Sequence, residues 1–451
     1  MKEFYLKEIR LKNYRKFESK TFNLNKQMNV FIGKNSSGKT SVLEAANVIL
    51  GSYLAAFKKY VPSRFVFNIS KEDPLLKKQV NSDYDILASA GIPQYPCSIS
   101  CNMQWDKKNI TFRRMVEKTE GRTKFDGNNP MQKDVTYWEE TMQKANNEDR
   151  DIVLPLVLYL SSARLWNENK VSDFPQVPLR TDAYQKCLDK KHGTQLVFDY
   201  IKKLENIARE ERRKSPFPVY DVIMEAIDGS MKEELEVGER IAFSSRYDGM
   251  ALVKRNGTII QFDSLSDGYR NVIKIILDIA ARMCMLNPYL KENALIETPG
   301  VVIIDELDLS LHPKWQKRIV RILKETFPKV QFICATHSPF IIQSLEPGEL
   351  ISLEEKIDDE YSGQSIEDIA EDIMGVPTPK YSEKKQKMYE AAEKYFKALE
   401  EGRTQEDLEK LKIQMDNLAA EYSDNPAYLA LMKQKYLEKA VKLETQDETC
   451  R

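Results

Sequence analysis

The pattern of apolar and polar positions predicts a strand–loop–helix order at the beginning of the chain. Residues 5–11 alternate apolar and polar side chains, the period of a half-buried strand, and a second strand is predicted at 21–24. Residues 28–32 are mostly apolar, which predicts a buried strand. A loop rich in glycine and serine follows, and residues 41–50 then carry apolar side chains at helical spacing. This loop is the first candidate site.

Apolar runs predict three more buried strands farther along the chain. They are residues 152–161, 301–304 and 330–335, and a predicted helix at 313–327 separates the last two. Because strands that alternate with helices favour a parallel sheet, we expect an α/β fold. An Asn-Gly pair at 256–257 lies between two β-rich runs and predicts a hairpin.

Changes in these patterns predict four segments. Residues 1–51 and 236–379 carry the recognisable motifs and are expected to form one core, whereas 52–235 is an inserted lobe that belongs partly to that core. Sustained heptads are absent from the insertion, so long coiled-coil arms are not expected. Residues 380–451 alternate in charge and are predicted to form three helices, an extension for contacts with a partner or another copy.

The composition excludes several classes of function. The chain has 451 residues with 68 basic and 69 acidic side chains, so any nucleic-acid contact must come from a local patch. Lys190-Lys191 and Arg212-Arg213-Lys214 are candidate patches for DNA, but acidic neighbours favour an interpretation as solvated helix faces. Only three histidines occur, which excludes a multi-histidine metal centre and leaves a two-carboxylate site open.

The cysteines and the first residues predict a cytoplasmic protein. Six scattered cysteines without a Cys-x2-Cys pair favour reduced thiols. The first eight residues are charged every few positions, so no signal peptide is expected. No apolar run approaches the roughly 20 residues that span a bilayer, and no membrane partner is expected.

The loop after the third strand has the pattern of a phosphate loop. Gly33-x4-Gly38-Lys39-Thr40 lies between a strand and a helix, where curled backbone N–H groups and the helix N-terminus bind phosphate oxygens. Lys39 would reach the β- and γ-phosphates of ATP, and the Thr40 hydroxyl would bind Mg²⁺. The alternative is a chance Gly-Lys-Thr sequence. The other candidate positions for phosphate contacts are Asn35, Ser36, Ser37 and Ser41.

Two acidic residues follow the strand at 301–304. Asp305 would hold Mg²⁺ and Glu306 would polarise an attacking water, because the carboxyl ends of parallel strands meet at the phosphate loop. Alone, an apolar strand before Asp-Glu is equally well interpreted as a surface turn. His337 follows the strand at 330–335 and would contact the γ-phosphate, although a lone histidine is more often structural.

A short motif, Leu265-Ser266-Asp267-Gly268, opens a long apolar helix. Ser266 is interpreted either as an ordinary helix cap or, together with Gly268, as part of a second anion site at the helix N-terminus.

The order of these motifs resembles the ABC-type ATPase head of the SMC, RecF and OLD-nuclease group. The resemblance implies a mixed or parallel sheet with flanking helices and an N-terminal antiparallel β lobe, and it implies binding of ATP and Mg²⁺. The segment Leu11 to Phe17 is similar to that group's opening, which implies that Arg15 lies near the nucleotide base. In such heads the motif that corresponds to Ser266 and Gly268 completes the ATP site of a second subunit. The resemblance therefore implies a head-to-head dimer or a larger even oligomer.

The resemblance also indicates which branch of this group of ATPases the chain is most similar to. OLD-type nucleases carry a carboxylate-rich domain after the ATPase, but Glu367, Asp368, Glu371 and Asp372 flank an isoleucine stripe and are interpreted as one face of an amphipathic helix. No nuclease activity is therefore expected in this chain. The whole chain looks like the ATPases of bacterial Septu and retron anti-phage systems, which implies a slow ATPase that regulates an HNH nuclease bound through residues 380–451.

Two other functions stay open. One is a DNA-repair ATPase of the RecF kind, with DNA across the dimerised heads. The other is a structural role in which nucleotide holds an oligomer together and turnover is slow. The Glu306 carboxylate argues against an inactive ATPase but is compatible with slow turnover.

Overall fold

Two units make up the protein in the computed structural model, residues 1–366 and residues 367–451. The structure describes residues 1–77, 91–144, 152–165, 178–191, 195–210, 218–233, 235, 237–244, 246–354, 359–376, 379, 382–401 and 404–420. The strands are β1 (Phe4–Tyr14), β2 (Phe17–Asn23), β3 (Met28–Ile32), β4 (Leu76–Lys77), β5 (Ile92–Pro93), β6 (Cys97–Trp105), β7 (Lys108–Val116), β8 (Lys124–Phe125), β9 (Leu156–Leu160), β10 (Arg240–Ser244), β11 (Gly249–Val253), β12 (Ile259–Gln261), β13 (Gly300–Ile304), β14 (Val330–Ala335) and β15 (Leu350–Ser352). The helices are α1 (Lys39–Leu54), α2 (Gln132–Lys144), α3 (Gln195–Glu210), α4 (Pro218–Met231), α5 (Asp267–Leu286), α6 (Ala294–Glu297), α7 (Pro313–Gln316), α8 (Ile319–Thr326), α9 (Pro339–Gln343), α10 (Ile366–Asp368), α11 (Glu383–Glu400) and α12 (Gln405–Ala420).

A parallel sheet carries the core of the first unit, with strand order β15-β3-β14-β13-β9. Every residue of β3, β9, β13 and β14 is buried, as expected when both faces of a parallel sheet are covered. The predicted strands at 28–32 and 330–335 are confirmed at the same bounds, and the α/β fold class is confirmed.

The strand predicted at 152–161 is shorter than expected. Only Leu156–Leu160 pairs with β13, because the Asn287 side chain bonds the preceding backbone instead of a strand. Asn287 Nδ2 donates to the carbonyl of Leu154 and its Oδ1 accepts from the Leu154 N–H, both at 2.9 Å. A side-chain amide thus takes the hydrogen bonds that a neighbouring strand would make.

An antiparallel sheet, in the order β2-β1-β6-β7-β8, forms the N-terminal lobe. The resemblance implied this lobe, but the nine-residue strand β6 was not predicted from the sequence. One buried side chain joins the lobe to the parallel sheet. Gln331 on β14 accepts from the Leu6 N–H at 2.8 Å and donates to the Leu6 carbonyl at 2.7 Å, next to a register shift in β1.

The predicted hairpin and the predicted helix after Gly268 are both confirmed. Strands β10, β11 and β12 form a three-stranded antiparallel sheet, and Gly257 lies in its turn with φ +80°. Helix α5 is 20 residues long and buried over most of its length. The prediction of a single helix at 313–327 is wrong in one respect, because a turn divides this segment into α7 and α8. There the Arg318 N–H bonds the Trp315 carbonyl, three residues back, instead of the carbonyl four residues back.

The second unit contains α11 and α12, which confirm two of the three helices predicted in the extension. The third lies outside the described residues. Residues Ile369–Ile373 form a π-helical turn in which Ile369 is buried while Glu371 and Asp372 are exposed. No helix in the described ranges is long and apolar enough to cross a membrane. The five cysteines in those ranges, Cys97, Cys101, Cys187, Cys284 and Cys334, are free and buried.

Candidate functional site

A cavity of about 420 Å³ opens where the carboxyl ends of β3, β13 and β14 meet the N-terminus of α1. The structure brings ten of the predicted site residues together in its wall: Arg15, Asn35, Ser36, Gly38, Lys39, Thr40, Ser41, Asp305, Glu306 and His337. Gly33 and Ser37 belong to the same loop without lining the cavity, and Ser266 and Gly268 do not line it either.

The loop from Gly33 to Thr40 curls around the Lys39 side chain. Lys39 is 8% exposed, and its Nζ donates to the carbonyls of Gly33 at 2.7 Å and Lys34 at 3.2 Å. Gly38 has a φ of +103°, and a Cβ there would lie 2.8 Å from a Phe17 ring carbon, so only glycine fits. Burial lowers the pKa of Lys39, while the carboxylate of Asp305 acts in the opposite direction. The ammonium therefore lies in a partly desolvated loop, where an anion would bind it strongly.

Two oxygens from distant parts of the chain converge beside this loop. The Thr40 hydroxyl donates to Asp305 Oδ2 at 3.1 Å, and Asp305 is 5% exposed. Burial raises the pKa of Asp305, and the Glu306 charge acts in the same direction, whereas the bond from Thr40 lowers it. Among the described residues no group of three or more His, Cys, Asp or Glu could hold a metal ion. Thr40 and Asp305 fit Mg²⁺, which commonly takes one or two protein oxygens and completes its shell with water and phosphate oxygens.

Glu306 extends its side chain from a left-handed backbone at the end of β13. Its φ is +50°, a conformation that costs energy for any residue with a side chain, and the residue is exposed at the cavity. The Glu306 carbonyl accepts from Arg164 Nη2 at 2.8 Å and from the Leu309 N–H at 3.0 Å. The main chain of Glu306 is thus held by two hydrogen bonds, while its side chain lines the cavity.

His337 lies at the same sheet edge as Glu306, held there by a carboxylate that the sequence analysis missed. Asp308 Oδ1 accepts from the Thr336 hydroxyl at 2.5 Å and from the His337 N–H at 3.1 Å. Asp308 thereby fixes the backbone after β14 from the loop after β13. A signal for it was present in the sequence, because Asp308 is the third acidic residue within four positions after the apolar strand.

Arg15 lies at the rim of the cavity but is engaged by acidic side chains. Its Nε donates to Asp73 Oδ1 at 2.8 Å, and its Nη2 forms an ion pair with Glu44. Burial lowers the pKa of Arg15, but the neighbouring acidic groups outweigh this effect and raise it. Neither acid was predicted, nor was Lys16, whose Nζ donates to the Ser36 carbonyl at 2.9 Å within the phosphate loop.

Ser266 does not use its hydroxyl as a helix cap. It occupies the N-cap position of α5 and is exposed, but no hydrogen bond joins its side chain to the first turn of the helix. Gly268 allows a close approach instead, because a Cβ there would lie 2.9 Å from the Ser310 carbonyl oxygen. The structure therefore does not show the side-chain hydrogen bond that the helix-cap interpretation of Ser266 requires.

The predicted basic patches are only partly described. Lys190 Nζ lies 2.6 Å from Glu44 Oε1, and the Lys191 N–H donates to Asp189 Oδ1 at 2.9 Å. Lys190 is thus neutralised by an acidic side chain, as expected, but the partner is distant in the sequence and Lys190 lies in a turn instead of on the predicted helix face. Arg212, Arg213 and Lys214 lie outside the described residues.

A glycine-rich loop between a buried parallel strand and a helix, with two acidic residues at the end of another strand of the same sheet, defines a P-loop α/β protein. The family model described as "RecF/RecN/SMC N terminal domain" matches residues 5–356, and the chain belongs to this family. The resemblance to the SMC and RecF group is therefore confirmed.

The chain is also similar to curated retron and Septu proteins. It is 28% identical over 387 residues to "Retron Vc95 probable ATPase" from Vibrio cholerae serotype O1 biovar El Tor, covering 75% of this chain and 71% of that protein. It is 33% identical over 160 residues to "Septu protein PtuA" from Bacillus thuringiensis, covering 32% and 38%. The SMC head domain from Thermotoga maritima superposes with a TM-score of 0.40 at 15% identity, covering 77% of this chain and 94% of that one.

Proposed function

We propose that the chain binds ATP with Mg²⁺ and hydrolyses it slowly, as the regulatory subunit of a cytoplasmic anti-phage complex. The observation that carries the ATPase proposal is the meeting of Thr40 and Asp305 next to Lys39, with Glu306 in the same cavity. The wall of this cavity thus holds four kinds of chemical group that can help to cleave a phosphoanhydride bond. They are a cation for the phosphates, oxygens for Mg²⁺, a carboxylate for the water, and an imidazole.

Each side chain takes a distinct role in this proposal. Lys39 exchanges its bonds to the loop carbonyls for the β- and γ-phosphate oxygens, which also accept from the loop N–H groups. Thr40 and Asp305 hold Mg²⁺, which when bound neutralises charge on the β- and γ-phosphates. Glu306 accepts a hydrogen bond from the attacking water and orients it, and His337 donates to the γ-phosphate.

The second proposed feature is an ATP site shared between two chains. Support comes from Ser266, whose exposed hydroxyl makes no capping bond and which does not line its own chain's cavity. The N-terminus of the 20-residue helix α5 carries partial positive charge, which suits a phosphate. Ser266 and Gly268 of one chain would then close the site of a second copy, in a dimer or larger even oligomer.

The regulatory role rests on the relatives. Similarity to a retron ATPase over 75% of this chain, and to PtuA over 32%, supports a defence role in which the chain controls an effector. We propose an HNH nuclease as that effector, bound through residues 380–451, with no nuclease activity in this chain. The RecF-like alternative shares the ATP chemistry and differs in using DNA as partner, and the pairing of Lys190 with Glu44 argues against its DNA patch.

Light-scattering mass of the purified chain tests the proposal, with and without ATP and Mg²⁺, for wild type and Glu306→Gln. We expect ATP and Mg²⁺ to stabilise dimers or larger even assemblies, and we expect Glu306→Gln to trap them because hydrolysis no longer releases the subunits. A monomer under every condition would contradict the shared site.

A further inference from the structure

A buried guanidinium lies directly behind the two acidic residues of the candidate site. Arg164 follows β9 in the short turn Ser162–Leu165 and is 5% exposed. Its Nη1 donates to the carbonyl of Asp305 at 2.6 Å, and its Nη2 donates to the carbonyl of Glu306 at 2.8 Å. Because a guanidinium is a rigid planar fork, one side chain fixes two consecutive peptide groups at once.

This fork acts on the part of the main chain that directs the Glu306 side chain. Glu306 has a φ of +50°, and such a backbone persists only when its surroundings hold it. A relaxation of φ to the ordinary negative range would turn the carboxylate away from its present direction. Arg164 and the Leu309 N–H, which share the Glu306 carbonyl, oppose that relaxation.

The guanidinium is itself oriented by helix α5. Arg164 Nε donates to Asn271 Oδ1 at 2.9 Å, and Asn271 is completely buried. The Asn271 amide also donates to the Leu309 carbonyl at 2.7 Å, so its two ends contact both Arg164 and the loop after β13. Gly268, near the beginning of the same helix, packs closely against Ser310 of that loop.

Removing a charged side chain from water to this depth costs free energy. Burial lowers the pKa of Arg164 to about 10, with the charges of Asp305 and Glu306 acting in the opposite direction. One hydrogen bond goes to the Ser161 carbonyl at 3.1 Å, and the others go to main-chain oxygens of the candidate site and to Asn271 on α5. Arg164 therefore lies where the site meets the helix that carries Ser266.

We propose that Arg164 is a positioning residue for ATP hydrolysis. Oriented by Asn271, it holds the backbone of Asp305 and Glu306 so that the Glu306 carboxylate faces the phosphate loop, and it ties that direction to the docking of α5. This inference rests on the ATPase function proposed above. It adds a role for two buried residues that do not line the cavity.

The test compares Arg164→Met with a matched control, Arg180→Met, in the full chain. Arg180 is 4% exposed and donates to the Leu286 carbonyl at 2.6 Å, but it does not line the cavity. We measure thermal unfolding, the Kd of a fluorescent ATP analogue, and kcat at saturating ATP per folded molecule. Arg164→Met should leave Kd within about 3-fold and lower kcat about 10- to 100-fold, since a displacement near 1 Å can cost that much. Arg180→Met should lower stability and leave kcat unchanged.

Two further comparisons test the same role independently of a general loss of stability. In a Glu306→Gln background, Arg164→Met should lower kcat no further, because both changes remove the same contribution. Asn271→Asp keeps an oxygen facing Arg164 Nε and should retain more activity than Asn271→Leu. If Arg164→Met does not fold, the Asn271 pair decides the question.

The outcomes separate this inference from the proposed function. If the wild-type protein does not hydrolyse ATP, or if its hydrolysis does not depend on Glu306, the proposed function itself is contradicted, and with it this role of Arg164. Glu306-dependent hydrolysis that survives Arg164→Met at the wild-type rate would overturn this inference alone. Equal losses of kcat in Arg164→Met and Arg180→Met, or equal activities of the two Asn271 variants, would also overturn it.

Discussion

Thr40 and Asp305 are 265 positions apart in the sequence, yet the Thr40 hydroxyl donates to Asp305 Oδ2 at 3.1 Å. The contact exists because β3 and β13 end at the same edge of one parallel sheet, with β14 between them. It joins the two separate motifs that the sequence analysis assigned to Mg²⁺.

The Thr40 hydroxyl is expected to strengthen Mg²⁺-dependent ATP binding. Thr40→Val keeps the shape of the side chain and removes the oxygen, so we expect ATP affinity in the presence of Mg²⁺ to fall about tenfold, the loss of roughly one charge-assisted contact. Thr40→Ser keeps the oxygen and is the matched control. Titration calorimetry with and without Mg²⁺ measures both. Wild-type affinity in Thr40→Val would contradict the assignment.

Gly38→Ala should abolish ATP binding, whereas Gly127→Ala should not. Both glycines have a positive φ, but a Cβ at Gly38 would meet the Phe17 ring at 2.8 Å while a Cβ at Gly127 has nothing within 4 Å. Gly127→Ala therefore measures backbone strain alone, about 1–2 kcal/mol of unfolding free energy. Gly38→Ala adds a distorted phosphate loop. Thermal unfolding and binding of a fluorescent ATP analogue distinguish the two effects. Normal binding in Gly38→Ala would show that the loop is not needed.

A mixture of two inactive chains should recover activity if the site is shared. Ser266→Arg blocks the surface of α5, and Lys39→Ala disables the phosphate loop. In an equal mixture, half of the dimers pair one of each and hold one intact site of two, so about a quarter of the wild-type rate is expected for random pairing. Each variant alone sets the baseline. A mixture no faster than the separate variants would argue against the shared site.

Deletion of residues 380–451 should leave ATP binding intact and abolish co-purification with an HNH nuclease expressed from a neighbouring gene. The phosphate loop, Asp305 and Glu306 all lie in the unit 1–366, which does not include the deleted helices. Copurification is measured with a tag on the nuclease. Unchanged recovery of the truncated chain would place the contact elsewhere.

The sequence predicted those parts of the protein whose signal is local. Strands β3 and β14 are mostly apolar, interrupted by Asn29 and Gln331, and the phosphate loop is a fixed spacing between a strand and a helix, so both were found at their observed positions. Strand β6 also has a local signal that was overlooked, since Cys97, Ile99, Cys101, Met103 and Trp105 alternate with polar residues.

Other features leave no local pattern to find. Arg164 contacts the carbonyl of Asp305 across 141 positions of sequence, and a main-chain oxygen has no residue identity to predict. The same holds for Asn287, whose amide replaces a strand partner for Leu154. Such contacts depend on how sheets and helices pack, which the order of apolar positions does not specify.

The Gln331 amide limits where this protein can bend. It bonds both the N–H and the carbonyl of Leu6, so two bonds cross between the sheets, and it also donates at 2.6 Å to the carbonyl of Asn25 in the connection between β2 and β3. Separating the sheets would leave these groups unpaired, at a cost of roughly 1–3 kcal/mol each. The strand that leads to Arg15 and the strand that leads to His337 are therefore coupled at this point, and a motion that separated the two sheets here would have to break these bonds.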